Sequence, residues 1–331
     1  MNYVLLVGAG FTRNWGGWLS TEVFEYLLGC PEIKNSRSMQ PLFWRWLGRG
    51  GFEYALAELQ DAVKSDPTIE NKRLLTDVND AVSRMLADMN ETLLNQRLEF
   101  NCTDSDSWIG AFLSRFNAIF SLNQDLFLEY HFLPITFTLP YYGNWAGHDL
   151  PGMEMLSGQQ PPDWQSWGRR IWKPTTNETF SVLANHQPLF KLHGSSNWTD
   201  ATGNNLLVMG GDKVSLIQRS PLLAWYLQQF EEMLERQDTR LMIIGYGFLD
   251  LHINAVIQKA VDQHGLEIFN ISPAGAEHAH RVTHMSDSII LGPQLENAFQ
   301  RGLIGASRRP LSQIFGPDQT ERKKVLRFFD Q

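Results

Sequence analysis

The chain has 331 residues, of which 43% are hydrophobic and 19% are charged, so it can bury a sizeable core and lacks the composition of disordered proteins. Its net charge of -8, from 28 basic and 36 acidic residues, excludes a general attraction for nucleic acid phosphates, and we expect no direct nucleic acid binding. Cys30 and Cys102 are too few for a disulfide framework or a cysteine zinc site. No signal-peptide pattern precedes the first apolar run, and no run approaches the ~20 apolar residues of a membrane span. We therefore expect a cytoplasmic protein without membrane spans.

The first predicted element is a buried strand over Tyr3–Val7, a continuous run of strand-forming apolar residues. A glycine-rich turn, Gly8-Ala9-Gly10, follows at once, and a helix is predicted from Ser20 or Thr21 to Leu28. This succession of strand, tight turn and helix is typical of α/β proteins.

Apolar residues then recur at helical spacing between Phe52 and Asn95, which predicts a helical insertion at about residues 31–110. The segment Asn101–Ser107 is polar and turn-like, and Trp108–Phe116 is predicted to form a helix before a short strand at Ala118–Ser121. The α/β pattern is predicted to resume at that strand.

A second insertion, at about residues 141–185, is rich in Gly, Pro, Trp and polar residues and follows neither the helical nor the strand period. Long irregular segments in compact proteins often cover binding sites. The tryptophans Trp145, Trp164, Trp167 and Trp172 could shape a pocket there, although aromatic packing beneath a loop is an equally good interpretation.

Three further buried strands are predicted at Leu189–Leu192, Leu241–Ile244 and Ile268–Ile271, with a helix capped by Ser220 and Pro221 among them. Strands that alternate with helices predict a Rossmann-like parallel sheet with helices on both faces, here spanning residues 1–290. Residues 291–331 are predicted to form a helical tail that either caps this domain or joins an oligomer interface.

The glycine turn could bind a nucleotide, because it brings backbone close to a ligand and places free N–H groups at a helix start. The full dinucleotide fingerprint is incomplete, since Arg13 stands where its third glycine belongs. The lysine and the spacer of a P-loop are also missing, so ATP hydrolysis is not expected.

Four separated segments, each at the end of a predicted strand or turn, together resemble the sirtuin-like superfamily in the right order. They are Gly8–Thr12, Ser121–Asp125, Lys191–Ser195 and Gly245–Asp250. The resemblance implies that NAD binds at these strand ends. It further implies that the pyrophosphate contacts the turn formed by Gly8, Ala9, Gly10, Phe11 and Thr12.

The same resemblance implies the catalytic residues. Asn123 matches the asparagine that lies against the nicotinamide ribose, Asp125 the aspartate that holds the carboxamide, and His193 the base of the His-Gly motif. Breaking the nicotinamide–ribose bond passes through an oxocarbenium-like state, which calls for a polar group to position water and for a nearby base. Without the flanking match, a turn asparagine and a structural histidine would be the simpler interpretations.

The adenosine half of NAD is implied to contact Gly245 and Tyr246, with Ser272 as a weaker candidate. A histidine-rich stretch, His278, His280 and His284 with Asp287, could offer metal ligands. A polar loop after the last strand is the simpler account, and we expect no metal.

The chain also departs from the family, because deacylating sirtuins bind zinc through two cysteine pairs after the His-Gly, whereas Ser195–Val214 contains no cysteine. This departure favours NAD hydrolysis over deacylation. The run Gly245–Asn254 resembles bacterial sirtuin-like proteins of anti-phage defence. The expected function is therefore an NAD glycohydrolase that depletes NAD, controlled by homo-oligomerisation or by a HerA-type ATPase partner. A non-catalytic subunit that binds NAD or ADP-ribose and an NAD-dependent protein deacylase are the alternatives.

Overall fold

The computed structural model describes residues 1–48, 51–100, 108–134, 145–156, 170–176, 179–278 and 293–330. The strands in this part of the chain are β1 (Asn2–Val7), β2 (Ala118–Ser121), β3 (Gly147–Asp149), β4 (Met153–Met155), β5 (Trp172–Pro174), β6 (His186–Lys191), β7 (Gly194–Thr199), β8 (Asn205–Leu207), β9 (Thr239–Ile244), β10 (Glu267–Ile271) and β11 (Leu303–Ser307). The helices are α1 (Ala9–Thr12), α2 (Ser20–Gly29), α3 (Pro31–Lys34), α4 (Met39–Trp46), α5 (Phe52–Ser65), α6 (Ile69–Leu94), α7 (Ile109–Leu113), α8 (Phe127–His131), α9 (Lys213–Arg219), α10 (Pro221–Leu234), α11 (Leu251–His264), α12 (Pro293–Gly302), α13 (Leu311–Ile314) and α14 (Gln319–Leu326).

A seven-stranded parallel sheet with the order β11-β10-β9-β1-β2-β6-β3 forms the centre of the molecule. Helices surround it, which confirms the predicted α/β Rossmann-like fold. The central strands are apolar along their length because both of their faces are covered, and Val4–Val7 are completely buried. All seven strands point the same way, so the segments that follow them meet at one edge of the sheet.

The segment between β1 and β2 is helical where the structure describes it, with α3, α4, α5 and α6 in succession. Helix α6 runs for 26 residues and is capped by Thr68, whose side chain accepts a hydrogen bond from the backbone N–H of Asn71. It packs against α5 through a stripe of buried apolar residues. The predicted turn Asn101–Ser107 lies outside the described residues.

The irregular segment at 141–185 contributes three short strands, of which β3 joins the central sheet. Strands β4 and β5 form a second, four-stranded sheet with β7 and β8. Trp172 is buried in it, and the indole of Trp145 donates a hydrogen bond to the Ser114 carbonyl 2.9 Å away. Trp164 and Trp167 lie outside the described residues, so a tryptophan-lined pocket stays a prediction.

The C-terminal segment requires one correction. Residues 291–331 are not the wholly helical tail that the sequence predicts, because Leu303–Ser307 is a strand that pairs in parallel with β10 and extends the central sheet. The strand is short and includes Gly305 and Ala306, so its sequence lacks the apolar run that marked the other strands. The chain then returns to the start of the sheet, where the Tyr3 hydroxyl donates to the Phe329 carbonyl at 2.9 Å.

No helix in the described ranges combines the length and the apolar character needed to cross a membrane.

Candidate active site

The predicted site residues follow the carboxyl ends of five neighbouring parallel strands. Gly8 follows β1, Asn123 follows β2, His193 follows β6, Gly245 follows β9 and Ser272 follows β10. In open α/β sheets this edge is where ligands bind, in the crevice between the loops that leave the strands. The fold therefore gathers at one edge residues that are up to 264 positions apart in the sequence.

The glycine turn packs directly against the turn that follows β9. The Gly10 N–H donates to the Gly245 carbonyl at 2.9 Å, and the Gly8 N–H donates to the Ile244 carbonyl at 3.0 Å. A Cβ on Gly245 would lie 2.2 Å from the carbonyl carbon of Gly10, and Gly245 has a φ of +65°. Close backbone packing is thus one reason for glycine at these positions, whatever they contact in a ligand.

The other residues of the turn divide between surface and core. Ala9 is exposed at the first position of α1, whereas the Phe11 ring is buried between Trp15 and Phe127, with centroid distances of 5.1 Å and 6.4 Å. Any contact of Phe11 with a nucleotide would therefore use its backbone. The predicted pyrophosphate contact of the turn stays a prediction.

Asn123 is held in a fixed orientation beside this turn. Its Nδ2 atom donates to the Thr12 hydroxyl at 2.8 Å, and its backbone N–H donates to the Ser121 hydroxyl at 3.1 Å. The Oδ1 atom of Asn123 is buried and has no hydrogen-bond partner in the protein. An unpaired buried amide oxygen is costly, so this atom is available to a water molecule or a ligand.

Asp125 contacts a buried ion pair formed by Lys191 and Glu129. Its carboxylate accepts a hydrogen bond from the Phe127 N–H at 3.0 Å, and its backbone carbonyl accepts one from Lys191 Nζ. Lys191 also contacts Glu129 Oε1 at 2.6 Å, and the Ser195 hydroxyl donates to the same oxygen at 3.0 Å. Burial raises the pKa of both carboxyl groups, and the Lys191 ammonium acts in the opposite direction.

His193 faces a second histidine across the site. Its Nε2 atom lies 3.2 Å from Nε2 of His252, at the start of α11. Burial lowers the pKa of His193 to about 3, which Asp250 opposes and which Lys213 and His252 reinforce. Burial also lowers the pKa of His252. Both imidazoles are therefore neutral near pH 7 and can each donate or accept a proton.

Lys213 and two carboxylates lie beside the two histidines. Lys213 Nζ contacts Asp250 Oδ1 at 2.8 Å and Glu53 Oε2 at 2.7 Å, so α9, α5 and the start of α11 meet at this lysine. Burial opposes ionisation of Asp250, but the neighbouring imidazoles and the Lys213 ammonium hold its pKa below the ordinary value. Asp250 therefore carries a fixed negative charge beside the imidazoles.

The helical insertion contacts the segments that follow Asn123 and His193 through one side chain of α6. Asn90 accepts a hydrogen bond from the Leu126 N–H and donates one to the Ser196 hydroxyl, each at 2.9 Å. A cavity of about 400 Å³ opens beside this contact, lined in part by Tyr130 and Glu91. The insertion therefore fixes the spacing between the loop of Asn123 and the strand that follows His193.

The candidate adenosine-binding residues are already engaged within the protein. The Tyr246 hydroxyl donates to Asn254 Oδ1 at 2.9 Å, and the Ser272 hydroxyl accepts hydrogen bonds from Asn270 Nδ2 and the Gly275 N–H, both at 3.1 Å. A cavity of about 480 Å³ lies beyond them at the same edge of the sheet, lined in part by Gly275 and Arg308. Their contact with NAD stays a prediction.

One group of side chains could reach a single metal ion. Donor atoms of His193, Asp250 and His252 lie within 4.8 Å of one another. The Lys213 ammonium on Asp250 would repel a cation there, so we do not assign a metal to this group. Of the histidine-rich stretch considered from the sequence, His278 is described, whereas His280, His284 and Asp287 lie outside the described residues.

Sequence reasoning missed several polar residues of this site, among them Lys191, Glu129, His252 and Lys213. Lys191 and Glu129 were visible as charges within apolar stretches, Leu189–Leu192 and Leu126–Tyr130, which indicates buried charges that must find a partner. His252 lies in the recognised run Gly245–Asn254 but was given no role. No local signal connects Lys213 with Asp250, because the contact joins helices distant in sequence.

The chain matches the family model of the SIR2-like domain over residues 117–287, just over half of its length. Asn123, Asp125, His193, Tyr246 and Ser272 lie within the matched range, whereas the glycine turn precedes it. A comparison with curated proteins gave no match.

Proposed function

This chain belongs to the SIR2-like family, whose domains are NAD-dependent enzymes, and on that premise we propose that it is an NAD glycohydrolase. It would cleave the bond between nicotinamide and ribose and transfer the ribose carbon to water. The products are nicotinamide, ADP-ribose and one proton.

The observation that carries this proposal is the hydrogen bonding of the Asn123 side-chain amide. Its amide nitrogen is fixed by Thr12, and its carbonyl oxygen is buried and unpaired at the edge where the parallel strands end. The Thr12 hydroxyl has a single proton, which it donates to the Asp125 carboxylate. This hydrogen bond lowers the pKa of Asp125. The hydroxyl therefore accepts from Asn123, and the free oxygen of Asn123 can accept a hydrogen bond from the attacking water.

His193 supplies the base. An imidazole held neutral by burial can take a proton from water as the oxocarbenium-like centre is attacked. Asp125 would hold the carboxamide of nicotinamide, and the turn Gly8–Thr12 would face the pyrophosphate. The adenosine half would extend past Gly245 and Ser272 towards the cavity beyond β10.

The segment after His193 favours hydrolysis over deacylation. In a deacylating sirtuin a cysteine-bound zinc module follows the His-Gly, but here the hairpin of β7 and β8 leads directly into α9, and Ser195–Val214 contains no cysteine. The part of such enzymes that helps to form the cleft for an acyl-lysine peptide is missing. Water is then the expected acceptor of the ribose.

We further propose a biological role for the activity, on the resemblance of Gly245–Asn254 to bacterial sirtuin-like defence proteins. In that role the enzyme depletes NAD in an infected cell. An unrestrained NAD hydrolase would harm its host, so we expect control by homo-oligomerisation or by a partner, for which a HerA-type ATPase is the candidate. Gel filtration, with activity assays of the chain alone and with such an ATPase, tests this. Full activity of an isolated monomer would contradict it.

The first experiment measures nicotinamide release from NAD by the purified protein, alone and with added cell extract. Asn123→Ala and His193→Ala are compared with Asn95→Ala and His264→Ala, which change the same residue types at the ends of α6 and α11. We expect turnover that only the first two substitutions abolish, with NAD binding retained. Binding without turnover under every condition would favour a binding subunit. Release that requires an acylated peptide would favour a deacylase.

A further inference from the structure

The contact between His193 and His252 joins parts of the sheet that are not neighbours. His193 follows β6 and His252 lies beyond β9, and in the sheet β1 and β2 separate those two strands. Their Nε2 atoms are nevertheless 3.2 Å apart. The segments after β6 and β9 therefore meet above the ends of β1 and β2, where Asn123 and the glycine turn lie.

The proposed reaction creates a need for a proton exit at this place. Hydrolysis of NAD releases one proton per turnover, because a cationic pyridinium leaves as neutral nicotinamide and water loses a proton to form the new hydroxyl. His193 is only 3% exposed, so it cannot pass this proton directly to bulk water. His252 is partly exposed and is the next titratable group along the contact.

The surroundings of His252 suit a group that is transiently positive. The charged and titratable groups that face the histidine pair are Asp250 at the start of α11, Lys213 of α9 and, behind Lys213, Glu53 of α5. Asp250 favours the imidazolium form of both rings, whereas Lys213 opposes it. Lys213 is itself paired with two carboxylates, so its charge is largely compensated.

The segment that carries His252 is held rigidly. The Tyr246 hydroxyl accepts a hydrogen bond from the Asp250 N–H at 3.1 Å and donates one to Asn254, and Asn254 Nδ2 donates to the Phe248 carbonyl at 2.8 Å. These bonds close the loop between β9 and α11. They fix the first turn of the helix, and with it the imidazole of His252, against His193.

We propose that His252 is a proton relay for His193, an inference that rests on the proposed hydrolase function. Water loses a proton to Nδ1 of His193 as its oxygen bonds to the ribose carbon. At the same time the proton on Nε2 of His193 passes to Nε2 of His252. The resulting imidazolium of His252, stabilised by Asp250, releases its Nδ1 proton to solvent. Proton exchange at both rings between turnovers restores the starting tautomers.

This route avoids a charged His193. The imidazolium of His193 is strongly disfavoured, as its lowered pKa shows, so a base that only stored the proton would be weak. Passing one proton on while accepting another leaves His193 neutral throughout. The positive charge then forms on the partly exposed ring beside Asp250.

The test compares His252→Gln and His252→Ala, with His264→Gln at the other end of the same helix as the control. Glutamine can keep the hydrogen bond to His193 but cannot transfer a proton. We expect kcat for nicotinamide release to fall by roughly 10²-fold in both His252 variants, the lower end of the contribution of a positioned acid or base, with little change in KM for NAD. Free imidazole should restore part of the activity of His252→Ala alone, because only that variant leaves space for it.

The outcomes separate the relay from the function on which it rests. No turnover by the wild-type protein, whether alone, with cell extract or with a HerA-type ATPase, overturns both proposals. Wild-type turnover that His252→Gln retains, while His252→Ala loses it, shows a purely positioning role and overturns the relay alone. Inactivation of the wild-type protein by a chelator with recovery on adding Zn²⁺ overturns the relay in favour of a metal at these histidines.

Discussion

Thr12 and Asn123 lie 111 residues apart in sequence, and the hydroxyl of the first accepts a hydrogen bond from the amide of the second at 2.8 Å. The bond joins the turn after β1 to the end of β2. It leaves the Asn123 amide with one orientation, in which Nδ2 is bound and Oδ1 is free. The geometry of the candidate catalytic asparagine thus depends on a residue of the glycine turn.

Thr12→Val should therefore impair catalysis. Valine has the shape of threonine but cannot accept the hydrogen bond, whose loss is worth about 1 kcal/mol, or roughly a fivefold change in rate. We expect kcat for nicotinamide release to fall by at least that factor, and KM for NAD to rise as well because the same hydroxyl donates to Asp125. Thr76→Val on the exposed face of α6 is the control. An unchanged kcat in Thr12→Val would show that Asn123 needs no such support.

The buried pair of Lys191 and Glu129 should dominate local stability. Lys191→Met leaves a carboxyl group buried without its partner and removes a donor from the Asp125 carbonyl. We expect a loss of about 3 to 5 kcal/mol in the free energy of unfolding, measured by urea denaturation. The double variant Lys191→Met with Glu129→Leu should recover part of this loss, because no unpaired charge remains.

Lys259→Met is the matched control for that measurement, since Lys259 pairs with Glu231 and Glu235 at the surface. Its substitution should change stability little, because exposed ion pairs are screened by water. If Lys191→Met were equally mild, the buried pair would not be a structural element of the site.

Gly245→Ala should destabilise the protein by backbone crowding. The new Cβ would meet Gly10 at 2.2 Å, in addition to the cost of a residue with φ +65°. We expect a loss of at least about 3 kcal/mol, from the left-handed conformation and overpacking together. Gly265→Ala is a close control, because Gly265 has φ +70° but no atom within 4 Å of the added Cβ. Equal losses in the two variants would mean that the turns can separate.

His148 predicts a specific dependence of stability on pH. Burial lowers its pKa from 6.5 to about 3, so the unfolded chain binds a proton more readily than the folded protein between these values. The contribution of His148 to the free energy of unfolding is fully present above pH 6.5. It decreases by about 1.4 kcal/mol per pH unit as the pH falls from 6.5 towards 3. His148→Gln should lose this contribution to the slope when urea denaturation is compared at several pH values. If stability depended on pH equally in the wild-type protein and in His148→Gln, the lowered pKa of His148 would be refuted.

Much of the fold was determined by local sequence. The apolar runs at Tyr3–Val7, Ala118–Ser121 and Leu241–Ile244 are strands because a sheet covered on both faces requires apolar residues throughout. The amphipathic period over Phe52–Asn95 became α5 and α6 because each helix buries one apolar stripe and leaves its opposite face exposed. Strand β11 was not predicted because its five residues include Gly305 and Ala306 and so form no apolar run. Its backbone hydrogen bonds to β10 make it a strand.

The candidate site likewise has features that local sequence predicts and contacts that it does not. Local sequence is enough to predict that Asn123, Asp125 and His193 follow strands, because Asn123 and His193 come directly after apolar runs and Asp125 stands two residues further on. Parallel strands then place their ends at one edge. The contacts of Thr12 with Asn123, of Lys191 with Glu129 and of His252 with His193 are known from the folded structure alone. Those contacts join segments 59 to 111 residues apart, and a side chain's partner at such distances is set by packing, which no local pattern encodes.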